Sequence, residues 1–79
     1  PLFEALRVLR RELAEEAGVP PYVIFHDSTL REMALEKPDS LSALGRISGV
    51  GTRKLEAYGD AFLSVLKRLQ EEKGDVPHA

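Results

Sequence analysis

The 79 residues carry 13 Asp and Glu against 11 Lys and Arg, a formal charge of −2, with 43 % hydrophobic residues and no cysteine. That length holds one domain, with a core too modest to enclose a deep catalytic pocket as well. The charge argues against a polycation that coats nucleic acid, and the missing cysteine excludes a disulfide frame or a thiolate metal site and fits a reducing, intracellular setting.

Leu2, Leu6, Leu9, Leu13 and Ala17 recur at helical spacing, so a first helix is expected from Leu2 to Ala17, ended by Gly18 in the left-handed conformation. Arg7 with Arg11 and Glu12 with Glu16 fall on its wet sides. Pro20 and Pro21 then stop regular structure. Tyr22, Val23, Ile24 and Phe25 would suit a strand, but a lone strand has no partner in a helical chain. A short turn over Pro21–Phe25, in 3₁₀ geometry or close to it, is expected to plug apolar side chains into the core. Asp27, Ser28 and Thr29 form a capping cluster, with Thr29 and Glu32 at capping-box spacing, ahead of the stripe Leu30, Met33, Ala34. Met33 reads as core packing and His26 as a residue at the start of this helix. Pro38 ends the helix, and Asp39-Ser40 offers a cap for a short one bearing Leu41, Leu44 and Ile47.

The loop Ser48-Gly49-Val50-Gly51 follows, with Val50 expected to point inward. Thr52 would cap a helix with Leu55 and Tyr58 on one face; Gly59 interrupts or kinks it, and Asp60 would cap a last helix bearing Phe62, Leu63, Leu66 and Leu69. Lys67 and Arg68 fall on that helix's solvated side. The expected fold is all-α, a compact five-helix bundle over residues 1–72, with 73–79 as a flexible tail.

Only the segment 45–58 is locally basic, with Arg46, Arg53 and Lys54 against Glu56. Two glycines around Val50 permit a tight reversal, and the first N–H groups of the next helix would face outward beside Arg53 and Lys54. That arrangement suits a phosphate, although an ordinary helix–helix turn reads the same way. Catalysis finds no support. No GxxxxGK[ST] loop is present, His26 and His78 lack metal-ligand spacing, and Glu15–Glu16, Glu32–Glu36 and Glu71–Glu72 have no expected pocket. No metal or cofactor is expected. No apolar run approaches the roughly 20 residues of a membrane span. No signal peptide precedes the first helix, and the start at Pro1 suggests a piece of a longer protein.

The chain resembles the HRDC (helicase and RNase D C-terminal) domain along nearly its whole length. The resemblance rests on Leu6-Arg7-Val8-Leu9-Arg10 with Leu13-Ala14, on Val19-Pro20-Pro21-Tyr22-Val23-Ile24-Phe25 and on Asp27-Ser28-Thr29-Leu30. It continues through Pro38, Leu44, Ile47-Ser48-Gly49-Val50-Gly51, Lys54-Leu55-Glu56, Tyr58-Gly59 and Phe62-Leu63. The double-proline segment and the Gly-Val-Gly-x-x-Lys loop look more like the RecQ helicase branch than the RNase D branch. The resemblance implies a compact five-helix bundle and a monomeric, non-catalytic accessory domain of an ATP-dependent DNA helicase. Such a domain would be cytoplasmic, nucleoid-associated in a bacterium, and would tune substrate choice in repair and recombination.

Its partners would be single-stranded or branched DNA and the catalytic core of the parent helicase. Tyr22 matches an aromatic at the DNA-binding surface of bacterial relatives; the alternative for the ring is to lie against the first helix. Arg31, Arg46, Arg53 and Lys54, around the Gly49-Val50-Gly51 loop, are the phosphate candidates; Arg31 has Asp27 and Glu32 as rival partners. The acidic balance supports an alternative, docking of Glu15, Glu16, Glu32 and Glu36 on a basic surface of the parent. An RNase D accessory role is a further alternative.

Overall fold

A computed structural model describes residues 1–74, with side chains through Glu71. Five helices follow one another: α1 (Leu2–Ala17), α2 (Pro21–Ile24), α3 (Asp27–Glu36), α4 (Leu41–Leu44) and α5 (Thr52–Gly74). α1 packs on α2, α3 and α5, and α4 packs on α5. All-α architecture and the helix number agree with expectation, but the division of the chain differs at two places. The tail expected over 73–79 falls, from residue 75 onward, outside the described residues, and His78 with it.

α1 has the expected limits. Gly18 takes φ 69° and its N–H bonds to Glu15 O, while the Val19 N–H reaches Ala14 O, so two end carbonyls are satisfied. The buried line of α1 is Leu6, Arg10 and Ala14, with Leu2, Leu9 and Leu13 half-buried beside it; Ala17 is exposed. An arginine thus stands in the middle of the packed face. Its Nη1 donates to Phe25 O (2.9 Å) and pairs with Asp27 Oδ1 (2.7 Å). One guanidinium therefore ties α1 to the α2–α3 junction and satisfies a buried carbonyl that no helix serves.

That contact makes the Asp27 carboxyl acid-sensitive. The hydrogen bond from Arg10 is the main influence holding its pKa below the usual aspartate value. Burial opposes it, and the charges of Arg10, Arg31 and Arg7 add to it. A carboxyl depressed in the folded state stabilises the fold fully above its unfolded pKa of about 4 and loses that contribution as pH falls through the folded value. The melting temperature, followed by circular dichroism from neutral pH to about pH 2, should fall less steeply with acid in Asp27→Asn than in the parent chain. Equal acid slopes would contradict the assignment.

α2 is a single α-helical turn with a tight first bond, Val23 N–H to Pro20 O, before Phe25 N–H reaches Pro21 O. Ile24 and Phe25 enter the core as expected, whereas Tyr22 and Val23 stay outside. The Phe25 ring meets Phe62 edge-on (5.0 Å between centroids, 81°) and Tyr58 likewise (6.3 Å, 74°). Leu6, Leu30, Met33, Leu44 and Leu66 are fully buried around this centre, and Ile47 and Val50 nearly so.

α4 is capped as expected, Ser40 Oγ accepting from Ala43 N–H at 3.1 Å. It ends at Leu44; Ile47 follows in a run of turns closed by Arg46 N–H to Ala43 O and Ile47 N–H to Leu44 O.

The expected break at Gly59 does not occur: α5 is one helix of 23 residues, with Asp60 exposed in mid-helix rather than capping. Gly59 is buried, and a Cβ there would stand 3.0 Å from Leu55 Cδ1 and 3.1 Å from Leu41 Cδ2. The glycine gives up about 1 kcal/mol of helix propensity and lets α4 lie close against α5. Close packing on Leu41 of α4 accounts for it.

Candidate nucleic-acid interface

The loop before α5 is held from an unexpected side. Thr29 and Glu32, which fit a capping box by spacing, do not cap α3; that helix begins at Asp27, and its N-cap, His26, makes no side-chain cap bond. Both side chains turn to Ser48 instead. Thr29 Oγ1 donates to Ser48 O at 3.0 Å, and Glu32 Oε2 accepts from Ser48 N–H at 3.3 Å. Two residues one helical turn apart thereby clamp both backbone groups of one loop residue.

The next residue, Gly49, has φ 92°, and a Cβ on it would collide with Thr29 Oγ1. Val50 then points inward as expected, buried, its N–H on Ile47 O at 3.0 Å. Gly51 differs from Gly49: its φ is not positive and a Cβ there would meet nothing. Thr52 is the first residue of α5 rather than its cap. The bond that closes the first turn runs from Leu55 N–H to Gly51 O at 2.9 Å. The N–H groups of Thr52, Arg53 and Lys54 therefore have no acceptor within the helix.

Lys54, Tyr58 and Phe62 lie at spacings of four along α5 and all reach the same ring. Lys54 Nζ stands 5.7 Å from the Phe25 centroid. It is thus brought against the segment that carries Tyr22, three residues before Phe25. Tyr22 is 58 % exposed, and its ring is stacked with His26 (5.9 Å, 24°) rather than laid on α1.

The other candidates scatter. Arg53 is exposed on the first turn of α5. Arg46 is exposed beside a groove of about 260 Å³ lined with Glu32, Glu36, Pro38, Ala43 and Ile47. Arg31 lies across the Phe3 ring at 5.4 Å, on the α1 side, while Asp27, its expected rival partner, is taken by Arg10. Of the docking residues, Glu32 and Glu36 share that groove, contrary to the expectation that no carboxylate pair borders a pocket; Glu15 and Glu16 are exposed near the end of α1.

Sequence reasoning missed a smaller groove of about 120 Å³ between α1 and α2, lined by Glu4, Arg7, Val8, Arg10, Arg11 and Pro21. Arg7 is bridged there to Glu4 at 2.9 Å. The i, i+3, i+4 spacing of its arginines was visible in the sequence; that Pro21, the neighbour of Tyr22, closes the groove was not. Among the described residues, no three His, Cys, Asp or Glu side chains gather as a metal site, and no helix is long and apolar enough to cross a membrane.

Comparison with known proteins agrees with this architecture. The HRDC domain family model matches residues 1–66. The chain is 41 % identical over 78 residues to the ATP-dependent DNA helicase RecQ of Haemophilus influenzae, covering 99 % of this chain and 12 % of that protein. It is 47 % identical over 66 residues to the RecQ of Bacillus subtilis, covering 84 % of this chain and 11 % of that protein. The chain thus spans about a tenth of the length of these relatives. A solved structure, D. radiodurans RecQ HRDC domain 3, matches with a TM-score of 0.85 at 38 % identity, covering 89 % of this chain and 92 % of that one. By sequence and by fold, the chain belongs to the HRDC domain family, in the form found in RecQ-type helicases.

Proposed function

We propose that this domain is a non-catalytic accessory module of a RecQ-type DNA helicase that binds single-stranded or branched DNA weakly and tunes substrate choice in repair and recombination. It would work as a monomer against the catalytic core of its parent, in the cytoplasm and on the nucleoid in a bacterium. The observation that carries the reading is the exposed Tyr22 ring on α2, with Lys54 seated against Phe25 of the same segment. A base stacked on an exposed aromatic gains about 1–3 kcal/mol, and Lys54 brings a cation to that segment. Arg53 and the open N–H groups of α5 add electropositive character. Arg46 supports the reading less, since Glu32 and Glu36 share its groove, and Arg31 less again, since it is turned to Phe3.

Titration of the ¹⁵N-labelled domain with a short single strand at low salt should shift amides of residues 21–26 and 51–54. Tyr22→Ala should weaken binding by roughly 5- to 150-fold, and Lys54→Ala should also weaken it, both with the helical spectrum kept. Three engaged phosphates give a log–log salt slope of about −2, or roughly twentyfold weaker binding from about 50 to 200 mM salt. If both variants bind as the parent chain does, the reading fails.

A second reading, docking on the parent helicase, is favoured by the groove between α3 and α4. Glu32 and Glu36 line it, and Leu35 of α3 is 77 % exposed. Charge reversal at Glu36 would then change helicase activity without changing DNA affinity of the domain.

A further inference from the structure

We infer that His26 is the second ring of a two-base stacking platform, so that the domain takes two unpaired nucleobases, one on the outer face of Tyr22 and one on that of His26. The inference rests on the DNA-binding reading above and extends it to a residue and a site size. Four observations lead to it. The two rings are stacked, 5.9 Å between centroids and 24° apart in plane, and both residues are exposed. Each covers one face of the other, and the exposed pair leaves an outer face on each ring.

His26 also occupies the N-cap position of α3, where Ser, Thr, Asp or Asn would bond the first N–H groups. Its side chain makes no such bond, and it is absent from the core. The imidazole thus has neither a capping nor a packing role, although it is held in a defined place by the ring beside it.

Third, the adjacent carboxylate does not oppose a DNA strand as a bare charge. Asp27 Oδ1 is 2.7 Å from the Arg10 guanidinium, so its charge is neutralised by a neighbour on α1. Fourth, cations lie against the residues next to each ring. Pro21, next to Tyr22, lines the small groove that also holds the exposed Arg11, and Lys54 stands over Phe25, next to His26. Arg11 and Lys54 are the cations available there to a strand's phosphates.

The two outer π faces of the pair select for bases that are not paired. Duplex DNA offers none without unstacking, so the platform favours single strands, gaps and forks over a blunt duplex. Stacking strength also favours purines, the larger rings.

The test uses the 79-residue chain with short oligo-dA and oligo-dT strands at low salt. Affinity is read by fluorescence anisotropy and folding by circular dichroism. His26→Ala should weaken oligo-dA binding by roughly fivefold or more and reduce the preference for oligo-dA over oligo-dT. His26→Phe keeps an aromatic face and removes the imidazole nitrogens, so it should restore most of that affinity. Tyr22→Ala with His26→Ala should bind more weakly than either single variant.

If Tyr22→Ala weakens binding and His26→Ala does not, the second ring is not part of the platform and the inference falls, while DNA binding through Tyr22 stands. If His26→Ala weakens binding and His26→Phe fails to restore it, His26 acts through charge or hydrogen bonding and stacking is overturned. If neither Tyr22→Ala nor Lys54→Ala changes affinity, the broader reading fails, and this inference with it.

Discussion

Phe25→Ala is expected to destabilise the domain by about 3–5 kcal/mol, a large part of the roughly 5–15 kcal/mol that holds a domain folded. The ring is 1 % exposed and lies where three helices meet. It takes the edges of Phe62 and Tyr58, pairs that contribute about 0.5–1.5 kcal/mol each beyond burial, and supports the Lys54 ammonium 5.7 Å from its centre. Truncation leaves a cavity that neighbours on α1 and α5 cannot close, because Leu6, Phe62 and Leu66 are already fully buried in their own contacts. Phe25→Leu, which keeps most of the volume, should cost about 1.5 kcal/mol or less. Urea unfolding followed by far-ultraviolet circular dichroism measures both. A loss below about 1.5 kcal/mol for Phe25→Ala would show that this ring is not the centre of the core.

Gly49→Ala should cost about 1.5–3.5 kcal/mol, from about 1–2 for a side chain at positive φ and about 0.5–1.5 for a lost hydrogen bond. At φ 92° the new Cβ would meet Thr29 Oγ1, and the hydroxyl can move aside only by releasing Ser48 O. Since Glu32 holds the N–H of the same Ser48, the loop loses half of its clamp. Gly51→Ala, two residues on, should be neutral or stabilise by about 0.4–1 kcal/mol, because it removes freedom from the unfolded chain without strain in the folded one. The pair is a sharp test, since the two glycines look equivalent in the sequence. Equal losses in chemical denaturation would show that the Gly49 turn is not held as described.

Much of the fold was legible because its cues are local. The heptad-like spacing of leucines and the glycine at position 18 set the limits of α1 to the residue, and Pro38 and Ser40 marked the α3–α4 junction. The misreadings share one cause: a residue with a familiar local role is used by something distant in sequence. Gly59 reads as a helix breaker until Leu41 is known to lie against it. Thr29 and Glu32 read as a cap until Ser48 is seen beside them. Arg10 gives no local cue to its burial, which follows from Phe25 O and Asp27 around it. At the candidate site, the sequence singled out Tyr22 and Lys54, and tertiary packing seats Lys54 on the same segment as Tyr22. Arg46 and Arg31 were grouped with them by charge alone, and charge carries no information about which face a helix turns outward.

The order in which the chain is synthesised gives one more consequence of the packing of α5. Phe62 and Leu66, both fully buried, come from the last helix, which lies along α1 at the opposite end of the sequence. A nascent chain that has emerged only as far as the Gly49 turn holds Leu6, Ile24 and Phe25 without the cover of α5. Closure must therefore wait until α5 has left the ribosome, and a translation pause inside that helix would prolong exposure of a sticky, half-built intermediate.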